Sequence, residues 1–342
     1  MSLRAPAVIV GAGLMGRWHA DAIRATGGRV AGVVDPDSAK AAALAARHGA
    51  APATDLASLL DGPRRIVHIC TPGETHLALA LEALNAGADV LCEKPFGASA
   101  VEAARILDAA AAGDRLVCPV YQFPFQAGVR RALDALPGLG KLLHVDLVAC
   151  SAGAGEAPDR RERVALEILP HPLSLLYRVL HGSLGAVGWR AANPAPGEIR
   201  ITGLAGPTTV GILISMAGRP TRNTLRLVAE SGTVHVDLFH GYALVEGGSV
   251  SRGSKIARPF LLAGTTIASA AANLAGRVLR REPAYPGLRE LIRRVHAAAA
   301  GNQPCPIAPQ ETLEIARAAD AITGLLAVAL PPVARPPERA TP

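Results

Sequence analysis

Aromatic residues make up only 3% of this chain, and only four of its 35 basic residues are lysines: Lys40, Lys94, Lys141 and Lys255. The arginines are scattered, some as pairs such as Arg130-Arg131, Arg160-Arg161, Arg280-Arg281 and Arg293-Arg294, and not as a stripe. The formal charge of +7 therefore makes no basic face interleaved with aromatics, which argues against nucleic acid and leaves an anionic substrate or cofactor as the use of that charge. Five cysteines, Cys70, Cys92, Cys118, Cys150 and Cys305, form no C-x-x-C pair and are odd in number. Cys70, Cys92 and Cys118 each close an apolar run, so buried reduced thiols are expected. The uncharged stretch Pro259 to Gly276, as long as any in the chain, is interrupted by Thr, Ser, Asn and Gly, which speaks against a membrane span. The amino terminus leads into a strand with no signal-peptide pattern, so a soluble cytoplasmic protein is expected. There is no internal repeat, no metal-ligand cluster and no nucleophile elbow.

What is present is an alternation. Half of the 342 residues are apolar, enough for two domains of about 100–200 residues. Ala7-Val8-Ile9-Val10 is too short for a helix and rich in β-branched residues, and it meets Gly11-Ala12-Gly13-Leu14-Met15-Gly16 ahead of a helical pattern. In this G-x-G-x-x-G, Gly11 permits the tight turn, Gly13 lets backbone approach a pyrophosphate, and Gly16 lets helix and strand pack closely. The helix start offers unpaired N–H groups to phosphate. A second strand, Arg29 to Val34, ends in Asp35, where a carboxylate accepts from both ribose hydroxyls and repels a 2′-phosphate, favouring NAD over NADP. The competing use of Asp35 is a helix cap at a βα turn.

A helix (Asp37 to His48) and a third strand (Arg65 to Cys70) follow, ending in Thr71-Pro72 with His76 opening the next helix. Thr71 serves either as an N-cap or as a hydroxyl beside the cofactor. Val90-Leu91-Cys92 then stops at Glu93-Lys94-Pro95, a strand delivering a carboxylate and an ammonium to its C-terminal end, where open α/β sheets bind ligands. A compact cation kept there in an arginine-rich chain suggests chemistry, and an ordinary surface ion pair is the alternative. With the helix Ser99 to Ala112 and the strand Arg115 to Val120, this predicts a doubly wound Rossmann domain over residues 1–122.

Three segments together, Gly11 to Ala20, Cys70 to His76 and Asn85 to Pro95, resemble the glucose–fructose oxidoreductase / inositol dehydrogenase / MocA (Gfo/Idh/MocA) family. The resemblance covers residues 5 to about 120 closely. It implies an NAD site built from Gly11, Gly13, Leu14, Met15 and Gly16, from Asp35, from Thr71, Pro72 and His76, and from Glu93, Lys94 and Pro95. It also implies that Glu93 lies near the nicotinamide ribose and Lys94 between the nicotinamide and the reacting hydroxyl.

From Tyr121-Gln122-Phe123-Pro124-Phe125 the pattern changes, and residues 123–329 read as an α+β domain with a large, mainly antiparallel open sheet. Its strands are expected at about Lys141–Ala149, Ala186–Ala191, Glu198–Leu204, Thr208–Ser215, Asn223–Glu230, Thr233–Leu238 and Tyr242–Glu246. Tyr121 and Gln122 are candidate substrate contacts, with plain packing an equal use for Tyr121. Glu167-Ile168-Leu169-Pro170-His171 resembles the family segment in which an acidic residue precedes an acid/base His by four positions. This chain departs from it in Pro170 and Ser174. Standing before Pro172, His171 is expected to be extended at a helix mouth, or simply to start a core-facing helix. Lys255 to Arg281 reads as a long Ala-rich helix, used for packing or as an interface. Residues 330–342 read as a Pro-rich disordered tail.

The resemblance implies hydride transfer between NAD and a secondary alcohol or ketone of a sugar, sugar derivative or cyclitol, with Lys94, His171 and Glu167 as the catalytic set. It implies a homo-oligomer joined through the second sheet. It leaves two alternatives: transient oxidation with retained NAD, driving elimination or epimerisation, and a dinucleotide-sensing regulator.

Overall fold

The computed structural model describes residues 5–328 apart from 152–154, 156, 183, 249–250 and 283; the tail expected at 330–342 lies outside the described residues. β-Branched runs and amphipathic helices alternate through the first layer: β1 (Ala7–Val10), α1 (Leu14–Ala25), β2 (Val30–Val34), α2 (Ser38–His48), β3 (Ala51–Ala53), β4 (Ile66–Ile69), α3 (His76–Asn85), β5 (Asp89–Cys92), α4 (Ala100–Ala112) and β6 (Val117–Pro119). The strands form one parallel sheet in the order β3-β2-β1-β4-β5-β6. Every residue of β1, β4 and β5 is buried, as a parallel strand covered on both faces requires. The sixth strand, β3, carries no apolar signal because it is an edge strand of Ala, Pro and Ala.

Local chemistry fixes the helix starts. Asp37 accepts from the N–H groups of Ala39 and Lys40 to cap α2, which ends on Gly49 in the left-handed region. Ser99 accepts from the Glu102 N–H while Glu102 accepts from the Ala98 N–H, a reciprocal cap that starts α4. α1 differs: its N-cap is Gly13, and no side chain caps it.

The second layer comprises α5 (Ala127–Ala135), β7 (Leu142–Cys150), α6 (Pro158–Ile168), α7 (Pro170–Val179), β8 (Gly188–Ala195), β9 (Glu198–Ala205), β10 (Thr208–Ser215), β11 (Arg222–Ala229), β12 (Gly232–Asp237), β13 (Tyr242–Gly247), α8 (Arg252–Arg280), α9 (Leu288–Ala299) and α10 (Pro309–Val328). Its seven strands run β13-β12-β11-β7-β10-β9-β8, antiparallel at every step except β7–β10. Ile199, Ile201, Val210, Ile212, Val234 and Val236 point into the core from one face, and the intervening residues make the opposite face polar.

Two features were not legible in the sequence. The chain returns to the first layer after the sheet: α9 packs on α1, and α10 lies against α4 and α7, with the Ala100 N–H donating to Asp320 at 2.8 Å. One hydrophobic cluster therefore runs from Ile9 and Leu91 through Tyr121 to Leu225 and Ile212. The long helix α8 also departs from the packing role expected of it. Ile256, Phe260, Leu261, Ile267, Leu274, Val278 and Leu279 are each at least 63% exposed, so its apolar face is not spent on the core.

Candidate active site

The carboxyl ends of β1, β2, β4, β5 and β6 deliver Gly11, Asp35, Thr71, Glu93-Lys94 and Tyr121-Gln122 to one edge of the parallel sheet. The glycine turn fits a dinucleotide diphosphate. Gly11 sits at φ +97°, and a Cβ there would stand 2.7 Å from the Cys70 carbonyl oxygen. A Cβ on Gly16 would fall 1.8 Å from the Gly11 carbonyl oxygen, so helix and strand touch there. A Cβ on Gly13 would meet nothing within 4 Å, which leaves open space in front of the uncapped start of α1. Leu14, 56% exposed, and the half-buried Met15 supply the first N–H groups of that helix.

Asp35 accepts from the Ala12 N–H at 2.8 Å and from the Asp37 N–H at 2.9 Å. Those bonds aim the carboxylate along the turn while leaving each oxygen a further lone pair. Asp37, not Asp35, is the helix cap.

Thr71 is no N-cap: a short 3-10 turn, Gly73–Thr75, precedes α3, and the Thr75 hydroxyl donates to Thr71 Oγ1 at 2.7 Å. His76 opens α3 beside this loop. It is fully buried, with Nδ1 2.6 Å from the Pro95 carbonyl oxygen and Nε2 2.9 Å from that of Thr71. Both ring nitrogens are thus occupied in tying two strand-end loops together, and Pro72 is exposed on the same loop.

At the end of β5, Glu93 is 5% exposed. Its carboxylate accepts from His19 Nε2 at 3.1 Å and from the Lys94 N–H at 3.1 Å. Burial pushes the carboxyl up, but the hydrogen bond from His19 and the charge and backbone N–H of Lys94 outweigh it, leaving Glu93 below the usual carboxylate range. The next peptide bond, Lys94–Pro95, is cis.

His171 stands opposite, 8% exposed, in the first turn of α7. The extended conformation expected before Pro172 is not adopted. First-turn N–H groups have no partner in the helix, so Pro170 and Pro172 forfeit nothing. Burial of Leu173, Leu175, Leu176 and Val179 then outweighs the local clash of a residue preceding proline. Phe123 stacks on the His171 ring at 4.5 Å and 18°. Nδ1 of His171 and Oε1 of Gln122 are buried without a hydrogen-bond partner among the described residues. Burial first, and then the Lys94 ammonium, push the His171 imidazole down to about 3, with Glu93 pulling weakly the other way. His171 is therefore neutral at physiological pH and within the field of Lys94.

Both orphaned atoms belong to residues lining a cavity of about 950 Å³. The second sheet contributes Arg222 and Asn223, the loop before β13 contributes His240, and the end of α8 contributes Leu274, Arg277 and Val278 as a roof. Arg281 and Tyr285 close the far side.

Two expected residues lie elsewhere. Glu167 and Tyr121 line a neighbouring cavity of about 500 Å³ beneath Pro95 to Ser99. No hydrogen bond joins Glu167 to His171; Phe123 holds the ring instead, while Ser174 Oγ donates to the His171 carbonyl at 2.7 Å. Tyr121 is 2% exposed, a packing residue whose hydroxyl burial pushes up. Sequence reasoning missed Phe123, His19, His68, His296 and the arginines of the cavity. Phe123, in an aromatic-poor chain, and His68, in the middle of an apolar strand, were the available signals.

Residues 6–121 match the Gfo/Idh/MocA profile, described as an oxidoreductase family with an NAD-binding Rossmann fold. An inositol 2-dehydrogenase of Leifsonia xyli subsp. xyli is 40% identical over 136 residues, 39% of this chain. The chain thus spans 38% of the length of that curated relative. Among solved structures, UDP-N-acetylglucosamine 3-dehydrogenase GnnA from Acidithiobacillus ferrooxidans superposes with a TM-score of 0.74 at 19% identity, covering 95% of this chain and 98% of that one. The WlbA dehydrogenase from Bordetella pertussis, solved with NADH and UDP-GlcNAcA, superposes with a TM-score of 0.76 at 17% identity, covering 96% and 97%. At these identities the two superpositions show the fold.

Proposed function

We propose, from the match of residues 6–121 to the Gfo/Idh/MocA profile, an NAD-dependent dehydrogenase acting on a secondary alcohol or ketone of a sugar, a sugar derivative or a cyclitol. The observation that carries this reading is a neutral His171, its Nδ1 without a hydrogen-bond partner among the described residues, lining a cavity of about 950 Å³ while lying within the field of the Lys94 ammonium. The glycine turn and the start of α1 hold the diphosphate, and Asp35 holds the adenosine ribose and turns away a 2′-phosphate. When bound, NAD supplies the hydride acceptor and NADH the donor.

The remaining steps belong to the protein. Lys94 donates to the reacting oxygen and favours its developing negative charge. His171, entering neutral, takes the hydroxyl proton at Nδ1 and returns it in the reverse direction. The Gln122 carbonyl accepts a hydroxyl or amide N–H that would otherwise lack a partner. Glu167 acts at most through the fold, since it faces the other cavity. The guanidinium groups of Arg222 and Arg281, with no ion pair among the described residues, belong to residues that line the cavity, favouring an acidic or phosphorylated sugar derivative over an uncharged cyclitol.

The test is a screen of sugars, sugar acids, nucleotide sugars and cyclitols with NAD or NADH, read at the nicotinamide absorbance. Lys94→Ala should leave NADH affinity near wild type while turnover drops at least ~100-fold. Retained turnover would rule out this role. Accumulation of free NADH separates net oxidation from a cycle in which the hydride returns to the substrate.

A further inference from the structure

Three histidines that no step above uses form a continuous buried chain ending at Glu93. His19 on α1, His68 on β4 and His296 on α9 are 0%, 0% and 1% exposed. His19 Nε2 lies 3.1 Å from Glu93 Oε1, His19 Nδ1 lies 2.9 Å from His68 Nδ1, and His68 Nε2 lies 3.0 Å from His296 Nε2. Each contact needs one proton, and a neutral imidazole has one to give. An ionised carboxylate only accepts, so His19 carries its proton on Nε2 and offers a lone pair at Nδ1. His68 must then be protonated on Nδ1 and accept at Nε2, and His296 must be protonated on Nε2. With Glu93 ionised and the three rings neutral, only this set of tautomers satisfies all three contacts. A proton added at His19 Nδ1 would reverse both histidine–histidine bonds while leaving the bond to Glu93 as it is. Burial pushes His68 far below the usual histidine range, with its two histidine neighbours adding to the effect.

We propose that His19, His68 and His296 are positioning residues: a tautomer-locked relay through which α9 of the second layer holds an N–H on the Glu93 carboxylate at the nicotinamide end of the cleft. The proposal rests on the dinucleotide reading of that cleft. Each alternative neighbour of Glu93 is accounted for. Lys94 donates its backbone N–H to the other carboxylate oxygen. Cys70 at the end of the adjacent β4, Cys92 of β5 next to Glu93 and Tyr285 from the segment before α9 are all pushed up, by burial first and then by the charge of Glu93, so they stay protonated in the neutral range. His171 across the cleft is neutral. His19 is thus the side chain that hydrogen-bonds Glu93, and His68 decides which nitrogen of His19 faces it.

The relay also explains a packing choice. β4 is an apolar strand whose third residue is a fully buried imidazole, and α1 and α9 meet above it with one imidazole each. Leucine at His68 would leave the His19 tautomer undetermined, and a lone pair turned toward the carboxylate would favour protonated Glu93. Asparagine would keep a donor where His68 Nδ1 stands, since its Nδ2 can occupy that place.

Two measurements test this without turnover. Long-range 1H–15N spectra of the 15N-histidine-labelled wild-type protein without cofactor, from pH 6 to 9, should show His68 as the Nδ1–H tautomer and His19 and His296 as Nε2–H tautomers. His68 as the Nε2–H tautomer would overturn the relay, whatever the variants do. Fluorescence titration with NADH at pH 7 should show a dissociation constant about 10-fold weaker for His68→Leu, from losing a hydrogen bond to a charged acceptor, with the acid limb of binding moved up by about 1 pH unit. His68→Asn should bind close to wild type; equal loss in both variants would reduce His68 to a packing residue and sink the proposal. Expected tautomers and NADH binding with no turnover of any sugar would remove the dehydrogenase reading and leave the relay standing.

Discussion

The glycine turn offers a sharp test because two of its glycines are retained for opposite reasons. In Gly16→Ala the new Cβ would stand 1.8 Å from the Gly11 carbonyl oxygen and 3.2 Å from Ile9 Cγ2. The start of α1 would have to retreat on the order of 1 Å, an overpacking cost of about 1–3 kcal/mol or more. That should lower the melting temperature by about 3–10 °C. In Gly13→Ala the backbone is already at φ −72°, and the Cβ would meet nothing within 4 Å. Stability should change by less than about 1 kcal/mol. The methyl would instead occupy the space in front of the first N–H groups of α1, where the diphosphate is expected. Losing two hydrogen bonds to a charged group, at about 1.5 kcal/mol or more each, weakens NADH binding by about 100-fold or more. Differential scanning fluorimetry reads the first effect, and titration of NADH fluorescence reads the second. Wild-type NADH affinity in Gly13→Ala would refute the dinucleotide site, and an unshifted melting point in Gly16→Ala would refute the packing it is built on.

Three further outcomes follow from the same geometry. Asp35→Ser should weaken NADH by about 10-fold and narrow its preference over NADPH, since the repelling carboxylate is gone; parallel titrations with both cofactors check this, and an unchanged preference would remove Asp35 from the site. Arg222→Ala should weaken an acidic or phosphorylated sugar by about 10-fold in KM while sparing an uncharged one, measured on any pair of substrates the screen yields. Burial pushes the Glu311 carboxyl up to about 7 against the pull of Arg178, whose guanidinium donates to it at 2.8 and 2.7 Å. A carboxyl raised above its unfolded value contributes stability that is complete below the unfolded pKa and is lost as pH climbs through about 7. Wild type should therefore lose on the order of 1–3 kcal/mol between pH 5 and 8 that Glu311→Gln does not lose, read from denaturant midpoints at each pH. Parallel midpoints in the two proteins would contradict it.

What the amino-acid sequence determined by itself is whatever depends on neighbours in the chain. The turn at Gly11 to Gly16, the cap at Asp37, the reciprocal cap at Ser99 and Glu102, and the two-residue alternation of β9 to β12 are local matters of φ, hydrogen-bonding side chains and side-chain period. So are the strand ends that put Asp35, Thr71 and Glu93-Lys94 on one edge, because a parallel sheet has only one carboxyl edge. Tertiary structure decided the rest. Glu167 and His171 are four positions apart yet face different cavities, since the helix breaks at Leu169 between α6 and α7. His76 was drawn into a buried brace by two carbonyls, one of them nineteen residues away. His19, His68 and His296 span 277 positions from first to last, and nothing short of the return of α9 onto α1 could bring them into one row. A hydrogen bond between distant residues leaves no period in the chain; it exists only once the core has been packed.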